Sequence, residues 1–378
     1  MHLTLRKTSQ LYLMAAALLC LAVVNQSCNK LGEAIKDHLE KKNDKTPQAL
    51  KDFNQVNLVG NNDEYKPAHV DPHLINAWGI AFSGGGIAWV SAEVGHISAV
   101  YDRDGNMLAA RPEVAIPSPT GTTGGSPTGQ TLNIDTNSTH FKLSNGSSGR
   151  FLFAGSDGVL SGWNGGAGNN ALVIKNNSAT SVYTGLTMAK NSAGHYYLYA
   201  ANFKTGKIDV WDTNFVSVQM AFHDPGIPSG YAPFNIQSVS GLLYVMYAKV
   251  GPDGDEEKGP GLGYVDIYSA NGNLEKRLVS KGQLNAPWGV AWAPAAFFKD
   301  SDAKDAILIG NFGDGHINVY NKDGDFQGQL RAHGNPIEIE GLWALMFPPS
   351  TSTIDPNRLY FTAGPDDEKE GLFGYIIK

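Results

Sequence analysis

Carboxylate and amide side chains flank several short apolar runs of this chain and could bind a metal ion. The five potential ligands are Glu93, Asn202, Asn311, Glu340 and Asp366. Carboxylate and amide oxygens are the ligands that Ca²⁺, a hard cation, takes from proteins. A Ca²⁺ ion there would polarise a lactone or ester carbonyl and activate water. In the alternative interpretation, Asn202 and Asn311 satisfy backbone groups of tight loops and the carboxylates are simply solvated.

Motifs for nucleophilic, zinc-dependent or nucleotide chemistry do not occur in the sequence. It contains no G-x-S-x-G, no H-E-x-x-H, no P-loop and no G-x-G-x-x-G that opens a helix. His69, Asp71 and His73 alternate as metal ligands can, but Pro72 interrupts the segment, which we interpret as a structured loop. The segment 102–106 has its Gly in fourth position, unlike an EF-hand, and predicts a hairpin turn.

From Phe53 onward the chain repeats one pattern six times. Each copy starts with an apolar segment around a Gly or Asn, centred on Gly79, Gly129, Gly185, Asn235, Gly289 and Gly341. A run rich in aromatic and β-branched residues follows, at 87–90, 151–153, 196–199, 242–247, 307–309 and 359–361. A third segment carries an aromatic residue near its end, at Tyr101, Trp163, Trp211, Tyr268, Tyr320 and Tyr375. These landmarks share a period of about 54 residues and indicate β-strands.

Four strands per repeat at this period are typical of a β-propeller blade. The sequence therefore predicts an all-β, six-bladed propeller over residues 53–378, with four-stranded antiparallel blades. The last copy supplies three strands before the chain ends, so its fourth strand is expected from residues 53–59. That pairing would close the ring. The recurring Gly suits the innermost strand, where six backbones crowd the axis.

Propeller topology gathers distant residues at one mouth of the central channel. The segments that begin the inner strands and the loops between second and third strands all open there. The residues predicted to bind a ligand at this mouth are Asn76, Trp78, Trp288, Trp343 and Asp314. The Trp side chains would form an aromatic rim for a sugar or peptide, or would instead pack between blades. Two further loops at this mouth, 251–257 and 364–368, share a Gly-Pro-Asp start and are acidic.

The N-terminal segment has the features of an export signal. Arg6 and Lys7 precede a 14-residue apolar run, which is too short to span a bilayer but suits a signal peptide. Cys28 follows at the position of a bacterial lipoprotein cysteine. We predict a lipoprotein signal peptide over residues 1–27, lipidation of Cys28 and a solvated tether over residues 28–52; an ordinary secreted protein is the alternative.

Composition limits the classes of partner and of stabilising bond. The 29 Lys and Arg against 36 Asp and Glu give a net charge of −7, which disfavours nucleic-acid binding. Both Cys residues lie in the first 28 positions, so the repeats hold no disulfide or Cys-based metal site. The propeller must therefore be stable through its own core and ring closure.

Several phrases of the sequence resemble an uncharacterised family of exported bacterial propeller proteins. They are the segments 74–82, 201–203, 206–212, 230–237, 310–315 and 363–368. The wider resemblance is to six-bladed propellers of the NHL-repeat and gluconolactonase-like type. It implies an exported propeller and, by analogy with gluconolactonase-like proteins, a metal bound by acidic and Asn ligands at the channel mouth.

The sequence thus predicts an exported lipoprotein of a Gram-negative cell envelope, in the periplasm or on the outer membrane. Its partners would be the membrane, through the lipid anchor, and an envelope protein, peptide or glycan. The leading hypothesis is a binding module, because propellers host many functions and no catalytic motif is present. The alternative is a Ca²⁺-dependent lactonase or esterase with its site at the channel mouth.

Overall fold

A computed structural model describes residues 46–300 and 302–378, and residues Pro47–Lys378 form one compact unit. The predicted signal peptide, Cys28 and most of the predicted tether lie outside the described residues. Within the described part, no helix is both long and apolar enough to cross a membrane. The short 3₁₀ helix Gln48–Leu50 precedes the first strand, and its Leu50 packs in the core with Phe53.

Six blades surround a central axis, and the prediction of an all-β propeller is confirmed. The chain begins with β1 (Asn54–Gly60) and β2 (His69–Val70). Blade 1 comprises β3 (Ala77–Phe82), β4 (Ala88–Ala92), β5 (Ile97–Tyr101) and β6 (Glu113–Ala115). Blade 2 comprises β7 (Pro127–Leu132), β8 (Phe151–Gly155), β9 (Val159–Trp163) and β10 (Leu172–Asn176). Blade 3 comprises β11 (Tyr183–Lys190), β12 (Tyr196–Asn202) and β13 (Lys207–Trp211).

The second half of the ring follows the same order. Blade 4 comprises β14 (Tyr231–Val239), β15 (Leu242–Val250), β17 (Gly263–Tyr268) and β18 (Leu274–Ser280), with the short β16 (Glu256–Glu257) beside β15. Blade 5 comprises β19 (Pro287–Ala293), β20 (Ala306–Asn311), β21 (Ile317–Tyr320) and β22 (Phe326–Gln329). After the small hairpin of β23 (Arg331–Ala332) and β24 (Asn335–Pro336), blade 6 contributes β25 (Leu342–Met346), β26 (Leu359–Ala363) and β27 (Leu372–Ile377). The remaining helical turns are Gly165–Ala167, Ala295–Phe298 and Pro365–Glu368.

The N-terminal strand closes the ring, as the sequence predicted. β1 pairs antiparallel with β27, from Asn54 opposite Ile377 to Gly60 opposite Leu372. Leu58 and Val59 are buried on this strand. The first and last strands of the compact unit therefore complete one blade, and this hydrogen-bonded pairing closes the propeller.

Every inner strand carries a β-bulge at the same place, next to the residue that meets the axis. The prediction of that residue is correct for five copies and wrong for the sixth. A Cβ on Gly289 would meet the backbone on either side of Ala344, so Ala344 and not Gly341 is the axial residue of blade 6. Gly341 lies before β25 with a φ of +63°, and glycine is needed there because L side chains rarely adopt that conformation.

The predicted hairpin turn at 102–106 is also present. Asp102 Oδ1 accepts hydrogen bonds from the backbone N–H groups of Asp104 and Asn106, both at 2.9 Å. Gly105 takes a φ of +87°. The carboxylate of Asp102 thus binds its own turn, as Asx turns do, in place of a metal ion.

Candidate functional site

An aromatic cluster fills the predicted mouth of the channel. The bulges of the inner strands place Trp78, Phe234, Trp288 and Trp343 there, and the loops after β12 and β20 add Phe203 and Phe312. We call these six residues the aromatic plug. Its centre is the fully buried Trp343, whose ring stacks on Trp78 at 3.7 Å and on Phe312 at 3.9 Å between centroids. Such pairs stabilise a fold beyond the area that they bury.

The three Trp residues predicted to form a ligand rim are therefore buried in the plug, as the packing interpretation expected. The Nε1–H of Trp288 donates to the carbonyl of Thr184 at 2.9 Å. The Nε1–H of Trp343 donates to Asn76 Oδ1 at 2.9 Å, while that of Trp78 is buried without a partner among the described residues. Their rings are occupied by one another and offer no open surface.

Asn76 connects the plug to the carboxylates above it. This side chain is fully buried and its backbone has a φ of +50°, which Asn tolerates better than most residues. Its Nδ2 donates to Glu368 Oε2 at 2.8 Å and approaches Glu93 Oε2 at 3.4 Å. Glu93 also accepts a hydrogen bond from Ser156 Oγ at 2.9 Å. The strained position thus holds two carboxylates from opposite ends of the sequence near one amide.

Three half-buried carboxylates, Glu93, Glu256 and Glu368, cover the plug, and we call them the carboxylate crown. Burial, reinforced by the nearby charge of Glu368, raises the pKa of Glu256 to about 7. Burial raises the pKa of Glu368 as well; the hydrogen bond from Asn76 opposes this shift, and the charge of Glu93 reinforces it. Negative charge is therefore costly at this mouth, and a bound cation would relieve it.

A lysine side chain of the protein, Lys258, lies at the crown. The ammonium of Lys258 lies 4.3 Å from the ring centroid of Phe312 in the plug. Its charge also lowers the pKa values of Glu256 and Glu368 against the effect of burial. Lys258 is exposed, so a competing cation can reach the same place.

The predicted metal ligands Asn202 and Asn311 bind their own loops. Asn202 Oδ1 accepts hydrogen bonds from the backbone N–H groups of Val182 and Thr205, both at 3.3 Å. Asn311 Nδ2 donates to the carbonyl of Gln283 at 2.7 Å, and its Oδ1 is buried without a partner among the described residues. These contacts match the structural alternative for both residues.

The other predicted site residues form two contacting pairs, Glu340 with Asp366 and Asp314 with Asn311. Glu340 Oε1 accepts a hydrogen bond from the backbone N–H of Asp366 at 3.2 Å. Asp314 accepts one from Asn311 at 3.0 Å; although burial raises its pKa, hydrogen bonds from His316 and Asn311 bring it below the usual value. Over residues 46–300 and 302–378, no group of three or more His, Cys, Asp or Glu side chains is arranged to hold a metal ion. Of the five predicted metal ligands, Glu93 belongs to the crown.

Sequence reasoning placed two acidic loops at this mouth but did not identify their important residues. Glu256 and Glu368 are the members of those loops that join the crown. In the second loop, Asp366, Asp367 and Glu368 all have positive φ values. None of the three is a glycine, so the sequence did not predict this turn. The sequence could have identified Phe203 and Phe312, because each directly follows an Asn at the same place of its repeat, Asn202 in one and Asn311 in the other.

The opposite face of the ring holds the open part of the channel. A cavity of about 290 Å³ lies there between the inner strands. Apolar side chains such as Ile80, Met188 and Met346 line it together with Gln130 and Gln237. The two faces therefore differ: one is filled by aromatic rings below carboxylates, and the other is open and mainly apolar.

Comparisons with solved structures find proteins of low sequence identity. No family model matches the chain. Among solved structures, virginiamycin B lyase of Staphylococcus aureus with quinupristin is 11% identical, with coverage of 86% of this chain and 99% of that chain and a TM-score of 0.49. Regucalcin of Agrobacterium tumefaciens, described as a calcium-binding protein, is 12% identical, with coverage of 80% and 91% and a TM-score of 0.45. No inference about function follows from similarities this low.

Two proteins of Acanthamoeba polyphaga mimivirus are related to the chain along most of its length. Uncharacterized protein R648 is 32% identical over 340 residues, which cover 86% of this chain and 80% of the viral protein. Uncharacterized protein L690 is 32% identical over 343 residues, which cover 86% of each. These relatives are viral and do not support the expected family of exported bacterial proteins. At this identity and coverage, the chain belongs to the family of mimivirus proteins R648 and L690.

Proposed function

We propose that this protein is an exported envelope lipoprotein whose propeller is a binding module, and that the carboxylate crown binds a basic side chain of a partner peptide or protein. The observation that carries the proposal is the position of Lys258. Its ammonium contacts the ring of Phe312 and is close enough to Glu256 and Glu368 to lower their pKa values. An ammonium from a partner would find the same surroundings.

The chemistry of the crown suits an organic cation. An ammonium over an aromatic ring is attracted by the ring's quadrupole, by about 0.5–2 kcal/mol depending on desolvation. Carboxylates beside the ring accept charge-assisted hydrogen bonds from the same ammonium. A bound Lys side chain would displace Lys258 into solvent and keep both kinds of contact.

The pKa of Glu256 makes this binding depend on pH. Because its pKa in the folded protein is about 7, raised from 4.5, protonation of Glu256 stabilises the fold fully below pH 4.5, and this contribution is lost as the pH rises through 7. The ionised crown, in contrast, attracts a cation more strongly. We therefore expect affinity for a Lys peptide to rise between pH 6 and pH 8 while the free protein loses stability.

A titration with a Lys peptide tests the proposed site. The probe is acetyl-Gly-Lys-Gly-amide, and its control is the same peptide with the Lys acetylated, which keeps the length and removes the charge. We expect saturable binding of the first peptide alone at pH 8, measured by NMR line shifts. Glu256→Gln and Glu368→Gln should each weaken binding about tenfold by removing a charged acceptor.

Two further variants control this titration. Lys258→Met should strengthen binding, since it removes the internal competitor. Asp323→Asn removes a charge from an exposed hairpin turn of blade 5 and should leave the affinity unchanged. Equal binding of the acetylated peptide, or no effect of the Glu variants, would refute the proposed recognition.

The lipid anchor is tested separately. Cys28→Ala should move the protein from the membrane fraction to the soluble fraction and abolish incorporation of labelled fatty acid. Unchanged fractionation would contradict the lipid anchor, but it would not bear on the proposed binding site.

The alternative hydrolase is favoured by one observation. A carboxyl group with a pKa of about 7, such as Glu256, is suited to act as a general base near neutral pH. We therefore propose a panel of lactones and esters with and without Ca²⁺. Turnover that is lost in Glu256→Gln, or a Ca²⁺-dependent rise in melting temperature that is lost in Glu340→Ala with Asp366→Ala, would favour the enzyme over the binding module.

A further inference from the structure

Blade 3 has an open outer edge. In each of the other five blades a fourth strand pairs with the third, whereas β13 ends the sheet of blade 3. The segment 217–223 follows β13, but it pairs with it through one isolated bridge, between Trp211 and Ser217. Beyond the hydrogen bonds of that bridge, no backbone hydrogen bond among the described residues joins the two segments.

Contacts with blade 4 hold the segment away from β13. The backbone N–H of Phe222 donates to the carbonyl of Gly272 at 3.0 Å, and its ring lies 5.2 Å from that of Tyr268. Two residues later, the carboxylate of Asp224 forms an ion pair with Arg277 of β18. The chain that could have formed a fourth strand is thus fixed to its neighbour.

The open edge presents unpaired backbone groups in strand geometry. Val218 N–H donates to the carbonyl of Val210 at 2.9 Å, but Val210 N–H has no partner among the described residues. Because outward groups alternate along a strand, the N–H and C=O of Ile208 point the same way and are also unpaired there. In the equivalent residue of blade 1, Val100, both groups are paired: its N–H donates to the carbonyl of Pro112, and its carbonyl accepts from the N–H of Leu108.

A cavity of about 630 Å³ lies alongside these groups. Residues of β13 and of the segment 217–223 line it, together with Thr180 and Thr205. The space is therefore open beside the same backbone positions that lack partners.

We propose that an extended peptide segment of a partner protein adds to β13 as the fourth strand of blade 3. The spacing of the N–H and C=O groups of Ile208 and the N–H of Val210 matches an extended backbone, which alone offers alternating acceptors and donors at that spacing. The site is independent of the carboxylate crown, and its recognition depends on the backbone more than on side chains.

Amide hydrogen exchange in the full chain tests this site. The probes are two synthetic peptides that copy β10 and β18, the fourth strands of blades 2 and 4. In the free protein the amides of Ile208 and Val210 should exchange much faster than that of Val100. Millimolar peptide should slow both amides at least about tenfold, as strand pairing protects its hydrogen-bonded groups.

Matched variants separate strand addition from other binding. Ile208→Pro removes an unpaired outward donor, so the protein should still fold while the peptide no longer protects Val210. Ile208→Val keeps the donor and should bind like the unchanged protein. Peptides with alternate amides N-methylated should not bind.

Two outcomes would overturn the proposal. Failure of both peptides to slow exchange at Ile208 and Val210 at millimolar concentration would show that the edge accepts no strand. Alternatively, both amides could be as protected as Val100 in the free protein, which would show that the segment 217–223 closes the edge itself.

Discussion

Blades 6 and 3 face the same structural problem and solve it differently. In each, three strands follow one another along the chain, and none of the described residues directly after them forms the fourth strand. Blade 6 obtains its fourth strand from the other end of the compact unit, through β1. Blade 3 obtains none, because the segment that follows β13 is fixed to blade 4 by Phe222 and Asp224.

The difference shows where this propeller needs pairing. β1 joins the first and last parts of the ring and buries Leu58 and Val59, so its loss would open the whole structure. The missing strand of blade 3 lies at the periphery, where neither the aromatic plug nor the ring closure depends on it. The edge of blade 6 must therefore be closed for the ring to form, whereas the edge of blade 3 can stay open.

Removal of β1 should have the largest effect. A chain that begins at residue 61 would lose the β27 partner and expose the unpaired edge of blade 6. We expect no cooperative unfolding transition in urea, a loss comparable with the whole stability of a domain, about 5–15 kcal/mol. A chain that begins at Pro47 is the control and should unfold cooperatively. An unchanged midpoint after removal of β1 would break the comparison with blade 3.

A smaller perturbation of the same closure is Gly374→Ala. A Cβ at this position would lie 2.3 Å from the carbonyl oxygen of Val56 in β1 and 2.8 Å from the ring of Phe361. Because the backbone of β1 can shift only at the cost of strain, we expect the free energy of unfolding to fall by about 3 kcal/mol. Gly85→Ala has open space around its Cβ and should change stability little. Equal melting temperatures for the two variants would contradict tight closure.

The corresponding perturbation of blade 3 should cost less than either change in blade 6. Replacing residues 217–221 by a Gly-Ser segment removes the half-buried side chains of Val218 and Met220. Partial burial of two apolar side chains corresponds to about 2 kcal/mol. Chemical denaturation should show one cooperative transition with a lowered midpoint; loss of cooperativity would mean that blade 3 is as essential as blade 6.

The smallest expected effect is a difference between two matched proline variants. Val100→Pro removes a hydrogen bond to Pro112, whereas Val210→Pro removes an N–H that has no partner among the described residues. Both residues are buried and precede the final aromatic residue of a third strand. Val100→Pro should therefore cost about 1 kcal/mol more, the net value of one hydrogen bond. Equal costs would indicate that Val210 is paired in solution.

Much of this architecture could be predicted because its signals are local. Runs of aromatic and β-branched residues and the turn at 102–106 depend on neighbours in the chain, and the six-fold period made the blade count reliable. The prediction of the sixth axial position was wrong because Gly341 lies near the place in its repeat where four other copies have an axial glycine. Gly341 serves a left-handed turn before β25, while the axis at blade 6 accepts the small side chain of Ala344.

The candidate site was predictable only in part. Glu93 and the two acidic loops were placed at the correct mouth by topology, since loops after second strands share one face of the ring. The burial of Trp343 and the stacking of Phe312 on it depend on residues from different blades meeting at the axis. No spacing within one repeat reports such contacts.

The sequence by itself determined the fold class, the number of blades and the pairing of β1 with the last blade, because the six-fold repeat shows which strand the last copy lacks. Only the tertiary structure decided that the predicted mouth is filled by aromatic rings, that Glu256 and Glu368 are its important carboxylates, and that blade 3 has an open edge. Each of these depends on contacts between distant segments, in which burial, charge repulsion and competing hydrogen bonds select one arrangement among several that the same residues allow.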